Sequence, residues 1–287
     1  MFPALGIAVL LVMVFGGFAL TGGAIGPVLA AVPFEMMIIG GAAAGALIAG
    51  NSLHELKALG AGLVRVFKGP RYSSADHVDA IALSARLMRL YRQDGPLALE
   101  QHVENPRSSP LFGEFPRIVA DPHLVQLLAD PLMLLVVSSG SLDPHAVEEV
   151  LDNAIRARLG QMDEPAHALR ELSDALPALG IVAAVLGVIK TMGSIDQPPP
   201  VLGKMIGAAL VGTFLGVLLA YGIVGPLAAR LRQINAQDQQ ILHSVKQVIV
   251  ASLHGHPHAL AVEGARSGLP DAVRPSLTQL LDLLKGR

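Results

Sequence analysis

The 287 residues include no cysteine, so neither a disulfide framework nor a thiolate metal site can be built. That fits a reducing compartment. Tryptophan is missing too, which leaves any aromatic belt at a membrane surface thin. Charge is scarce: Asp, Glu, Lys and Arg make up 15% of the chain, against about 25% in a soluble domain. The net charge of −2 argues against nucleic acid as a partner. There is no P-loop, no Gly-rich dinucleotide turn, no nucleophile elbow and no HExxH. Nothing supports an enzyme with covalent chemistry of its own, and no cofactor is expected.

What fills the space is apolar. Hydrophobic residues are 52% of the chain and glycine contributes 30 positions, a balance that points to close-packed helices in lipid. The central feature is Leu176 to Pro226. From Ala175 to Ile189, and again from Met205 to Ala229, there is no Lys, Arg, Asp or Glu. The second run is long enough for a hydrocarbon core of roughly 30 Å, and the first reaches if it continues past Lys190. Each carries a proline, Pro177 and Pro226. The pair reads as a helical hairpin through a membrane.

Phe2 to Leu20 is a further uncharged run. It lacks the basic n-region and A-x-A site of a signal peptide, so an uncleaved first span is expected. Thr21 to Pro33 reads as a Gly/Pro-marked connection. Phe34 to Ser52 is then the second span, with Glu35 at its entrance and a Gly41-xxx-Gly45 pair for close helix contact. The expected class is an all-α membrane protein of four spans. Its parts are a transmembrane hairpin over 1–52, a large, mainly helical insertion over 53–174, the second hairpin over 175–229 and a tail over 230–287. Lys57, Arg65, Lys68 and Arg71 follow span two, and Arg230 and Arg232 follow span four. The positive-inside rule therefore puts the insertion, the tail and both termini in the cytoplasm, against the two dissenting charges Lys190 and Lys204.

The insertion has 12 basic and 16 acidic residues between positions 52 and 172, an ordinary mixed surface. Val78, Ile81, Ala85 and Met88 recur at helical spacing up to a break at Gly95-Pro96. Leu132 to Val137 is too short to span and reads as a buried core helix. Leu277, Leu280, Leu281 and Leu284 form an amphipathic stripe near the end. Arg86, Arg89 and Arg92, with Glu100 beyond the turn, read either as a solvated face or as a docking surface. Thr213 at mid-span either bonds its own backbone or serves an ion or water path. His254, His256 and His258 have no evident companion carboxylate, so a His-rich loop is the simpler reading.

Several strings resemble the MotA family, the A subunits of the bacterial flagellar stator within the MotA/TolQ/ExbB proton channel superfamily. They are VFGGFALTGG at Val14–Gly23, RQDGPLALEQHVENPRSSPLF at Arg92–Phe112, FPRIVADP at Phe115–Pro122, DALPALGIVAAVLGVI at Asp174–Ile189 and VGTFLGVLLAYGIVGPLA at Val211–Ala228. The likeness runs along nearly the whole chain in order. It implies a torque-generating subunit of the bacterial inner membrane, a pentamer around a dimer of a MotB-like B subunit. That subunit would bring the membrane aspartate and a peptidoglycan-binding domain. The ring would turn the rotor through its switch-complex protein, FliG. The resemblance implies that Arg92 and Glu100 contact the rotor, that Pro177 and Pro226 couple conformation, and that Ala184 and Thr213 line the ion path. Sodium-driven relatives place a threonine where Ala184 stands, so the transported ion is expected to be the proton. An energiser of envelope transport of the ExbB/TolQ type is the near alternative, although it usually has fewer spans. A solute transporter is the distant one, since it would call for inverted repeats or intramembrane charge.

Overall fold

The computed structural model describes residues 2–284, all helical or connecting. In chain order the helices are α1 (Phe2–Leu20), α2 (Ile25–Gly50), α3 (Leu53–Lys68), α4 (Ser74–Asp94) and α5 (Leu97–Val103). A 3-10 turn at Pro106–Ser108 and two short helices, α6 (Pro110–Gly113) and α7 (Pro116–Val119), lead to α8 (Pro122–Val137). Then come α9 (Pro144–Met192), α10 (Pro199–Val217), a π-helical segment (Leu218–Val224), α11 (Gly225–Asp238), α12 (Gln240–Leu253), α13 (His258–Ser267) and α14 (Leu277–Leu284). Among the described residues, four helices are long and apolar enough to cross a membrane: α1, α2, the later part of α9, and the helix that begins at Pro199.

The chain divides into two compact units. One comprises Met1–Gly69 and Met162–Ile234. Here α2, α9 and α10 share a core of Ile39, Leu176, Ala183, Val211 and Leu215. A second cluster joins α3, α9 and α11 through Leu59, Val66, Leu169 and Leu231. A Cβ on Gly62 would stand 2.9 Å from Leu231 and 3.0 Å from Pro165, so the glycine is what lets α3 come this close. Helix α1 buries no residue within the chain. A helix apolar on all sides and only partly covered, by contacts such as Phe15 on Phe214, is built for lipid or for another subunit.

Span two departs from the sequence reading. Its connection to α1 is only residues 21–24, and Pro33 lies inside α2 rather than before it. A proline deletes one backbone hydrogen bond, yet a spanning helix has no water to offer its other groups and so keeps its form around the defect. At 1.5 Å per residue α2 is about 39 Å long. Glu35 therefore sits about 15 Å along the helix, well inside it. Ser52 and Glu55 form a capping box that starts α3 as a separate, amphipathic helix.

The other unit comprises Pro70–Gln161 and Asn235–Arg287. Helix α4 is buried on most of its surface. One side, with Leu83, Leu87 and Met88, packs with Phe112, Leu128, Leu132, Leu135 and Val245. The other, with Val78, Ile81 and Ala85, packs with Val248, Val262 and Leu280. Leu132 and Leu135 are fully buried, as expected of a core helix. Lys246 on α12 bridges Glu148 at 2.9 Å and Asp152 at 2.7 Å on α9. Leu277 is exposed and Leu280 buried; the side chains of Leu281 and Leu284 lie outside the described residues.

Candidate functional site

The apolar hairpin is held together by absent side chains. A Cβ on Gly216 would lie 2.7 Å from the Leu176 carbonyl and 2.8 Å from Gly180 Cα. One on Gly180 would lie 2.8 Å from the Gly212 carbonyl. Backbone thus meets backbone where α9 crosses α10, the contact that small residues allow in membranes. A Cβ on Gly212 would lie 3.2 Å from the Ala184 amide nitrogen. Since Gly212 precedes Thr213, the expected ion-path residues Ala184 and Thr213 fall in one layer of the crossing, and both are half-buried.

Pro177 lies in the interior of α9. It supplies no N–H to the carbonyl of Ser173, one turn earlier. The Ser173 hydroxyl in turn donates to the Ala220 carbonyl at 2.8 Å, inside the π-helical segment. The Gly225 amide closes the segment by donating to that same carbonyl, and Pro226 follows at once. So the two prolines are linked structurally: the irregular turn before Pro226 is tied to Ser173, the residue one turn before Pro177. The sequence shows both prolines but not this tie, because a π segment has no residue signature of its own and occurs mostly as a single-turn bulge.

The carboxylate expected at the mouth of span two is the residue most underrated by sequence reasoning. Glu35 is 7% exposed, and its Oε2 has no hydrogen-bond partner among the described residues. That oxygen lies 2.6 Å from where a Cβ on Gly212 would be. One wall of a cleft of about 550 Å³ is formed by Glu35, and the cleft reaches Lys190, Thr191 and Met205 at the ends of α9 and α10 that flank their connection. Glu35, expected at the entrance of the second span, lies inside α2, so this chain carries an acid within its own spans. Its signal was Glu35 itself, hidden by reading Pro33 as the end of a loop.

In the second unit, Arg92 is in the last turn of α4 and Glu100 in the first turn of α5. Gly95, at φ 85°, makes the turn between them. Both side chains are exposed. Arg92 Nη1 donates to the His256 carbonyl at 2.7 Å, which fastens the His-rich segment to α4. Arg86 is instead committed to Glu114 and lies over the Phe115 ring, so the arginine stripe is not uniform. Burial, reinforced by Arg89 and Arg92, holds His258 below the usual imidazole pKa. His254 does have a companion carboxylate, contrary to the sequence reading. Its ring, His145 and Glu148 bring ligand-type atoms within 4.8 Å of one another, although Lys246 already neutralises Glu148.

Residues 4–95 match the family description "Motility protein A N-terminal", and residues 123–243 match "MotA/TolQ/ExbB proton channel family". Motility protein A of Escherichia coli (strain K12) is 40% identical over 276 residues, covering 96% of this chain and 92% of that protein. Chemotaxis protein LafT of Vibrio parahaemolyticus is 33% identical, with 96% and 95% covered. Among solved structures, that of C. jejuni MotAB has a TM-score of 0.72 at 21% identity, covering 96% of this chain and 98% of that one. The flagellar MotAB stator complex from Bacillus subtilis has a TM-score of 0.63 at 21% identity, covering 91% and 92%. These two bear on the fold.

Proposed function

The chain belongs to the motility protein A branch of the MotA/TolQ/ExbB proton channel family, a membrane channel and motor subunit and not an enzyme, and from that premise we propose how it generates torque. It is a flagellar stator subunit of the inner membrane that forms a proton-conducting complex with a B subunit. Five copies would surround two B subunits, each bringing a membrane aspartate. Protonation of that aspartate removes a charge that is costly at membrane depth and so changes which packing against the A ring is preferred. Ala184 and Thr213, in one layer of the α9–α10 crossing, form the wall that meets it. The methyl of Ala184 offers nothing in place of a sodium ion's water shell, which supports the proton as the ion carried.

The observation that carries this reading is the paired irregularity at Ser173. Pro177 has no N–H to give the Ser173 carbonyl one turn earlier, and the Ser173 hydroxyl is bonded into the π turn before Pro226. Helices bend at such places. A change of packing at the Ala184–Thr213 layer is thereby converted into a change of bend in both spans. Helix α9 continues without interruption from Met192 back to Pro144, where Val147, Leu151 and Ile155 are embedded in the core that also holds α4. Arg92 and Glu100, exposed at the end of α4 and the start of α5, are the charges that would engage the rotor protein. Fixed exposed charges set register and specificity there more than affinity.

The test is charge reversal, Arg92→Glu and Glu100→Lys, singly and together, scored by rotation of tethered cells with stator copy number measured at the motor. Each single change should cut torque while the copies still assemble. Normal torque in both singles and the double would exclude the rotor contact. In the same assay, rotation should survive replacement of sodium at constant proton-motive force, and collapse would exclude the proton.

A further inference from the structure

The fold brings the His-rich segment after α12 a carboxylate from a distant part of the chain. His145 and Glu148 are one turn apart near the start of α9, so both project from the same face. The Asp143 carboxylate accepts from the His145 amide at 3.1 Å and fixes that first turn. His254 ends α12, its amide donating to the Val250 carbonyl at 3.0 Å. The His254 ring meets the His145 ring edge to face, with centroids 5.1 Å apart. His145 Nδ1 is 4.0 Å from Glu148 Oε2. One ligand-type atom from each of the three residues lies within 4.8 Å of the others. Two helices thus present two imidazoles and one carboxylate to a single point on the surface of the second unit.

We propose that His145, Glu148 and His254 bind a divalent late transition cation, zinc being the ion the donor set fits. Two imidazoles and one carboxylate are the three-ligand set of open zinc sites, with water completing the tetrahedron. Calcium and magnesium call for oxygen ligands instead. Around zinc the ligand atoms stand about 3.3 Å apart, so the three tips close by up to about 1.5 Å from their present spacing. Both imidazoles are exposed and have room to turn. Lys246 is the charge that opposes a cation here. It bridges Glu148 through Oε1 at 2.9 Å, while Oε2 is the oxygen toward His145. Both oxygens of Asp152 also hold Lys246, at 2.7 and 2.8 Å. Lys246 therefore keeps a partner when Glu148 turns to the ion, and the two carboxylates outweigh its one positive charge. His258 is not part of the set, because Arg89 and Arg92 stand beside it and repel a cation. Zinc bound at the cluster clamps the end of α12 to the start of α9. Arg92 of α4 grips the same segment through the His256 carbonyl at 2.7 Å, so the ion would stiffen the support of the Arg92 surface. The site itself does not depend on the stator reading.

The experiment uses the full chain purified with its B subunit, free of any polyhistidine tag and stripped with EDTA, and Zn²⁺ alone as the probe. Calorimetric titration compares wild type with H145A, E148Q, H254A and the double variant H145A/H254A. H243A, which removes an exposed histidine of α12 outside the cluster, is the control. Wild type should bind Zn²⁺ in the micromolar range or tighter. H145A, E148Q and H254A should each weaken binding about tenfold or more, and H243A should leave it as it was. Co²⁺ in place of zinc should give wild type a visible d–d absorption that the double variant lacks. Saturating Zn²⁺ should raise the melting temperature of wild type and not of the double variant, since an ion bound only to the folded state stabilises it. Wild type that takes up no Zn²⁺ at micromolar concentration would overturn the proposal. So would unchanged affinity in any one of the three single variants, or a loss in H243A as large as that in H254A, which would spread the binding over surface histidines. If the double variant fails to fold, the single variants decide by the same criterion.

Discussion

Among the imidazoles that burial holds below their usual pKa, His77 in the second unit has the largest downward push. His77 is 1% exposed, and its Nδ1 has no hydrogen-bond partner among the described residues. Burial pushes its pKa from 6.5 down to about 4, against a weaker opposing pull from Asp76. The unfolded ring takes its proton near 6.5, the folded ring only near 4, so between those values the unfolded state binds more protons. Stability is therefore complete above about pH 6.5, falls as pH drops toward 4, and loses no more to this residue below that. The expected loss is about 3 kcal/mol over that window. Melting of the purified protein should fall between pH 7 and 4.5, and His77→Gln should flatten the part of that slope due to this ring. An unchanged slope in the variant would assign the acid sensitivity elsewhere, His102 being the next buried imidazole held low by desolvation. Burial of this kind was not legible at residue level. His77 sits among Asp76, Val78 and Asp79 in a stretch whose charges suggest an outward face, and only the packing of α12 and α13 on α4 shows otherwise.

Helices were easier to read than their defects. The uncharged runs that became α1, α9 and α10 announced themselves by length and lack of charge, which is the physical requirement for entering lipid. The proline marks were harder. Pro33 looked like punctuation and is interior to α2, while Pro177 and Pro226 lie within helices as expected. In water a proline next to a loop ends a helix because the freed groups find solvent; in a span they do not, so the helix persists. The glycines were legible as small residues but not as partners, because Gly180, Gly212 and Gly216 matter through which backbone atoms face them. This gives a graded prediction. Gly216→Val would drive a side chain into the Leu176 carbonyl and Gly180 Cα, forcing the helices apart at a cost of about 1–3 kcal/mol or more. Gly207→Ala adds a methyl with nothing within 4 Å and should leave the melting temperature of the detergent-solubilised protein unchanged. Equal effects from the two would mean that this crossing is not where the hairpin's stability resides.

At the scale of the whole molecule, the side of the membrane that each connection faces is open to chemical labelling, because the chain has no cysteine. Orientation was argued from arginine and lysine alone: Lys57, Arg65, Lys68 and Arg71 after span two and Arg230 and Arg232 after span four, against Lys190 and Lys204 beside the α9–α10 connection. If the majority rules, residues 193–198 face the periplasm, and the cleft beside Glu35 opens toward the side from which protons enter. If it does not, that cleft opens toward the cytoplasm. Because the chain has no cysteine, one introduced thiol is the only one present, and no background has to be removed. Ser194→Cys, half-buried in the connection, and Ser267→Cys, exposed at the end of α13, make the pair. A membrane-impermeant maleimide should label Ser194→Cys in intact spheroplasts and should label Ser267→Cys only after the membrane is opened. The reverse pattern would invert all four spans. It would also put the Arg92–Glu100 surface outside the cell, beyond reach of any cytoplasmic rotor, so this labelling bears on the torque mechanism before any motor is watched turning.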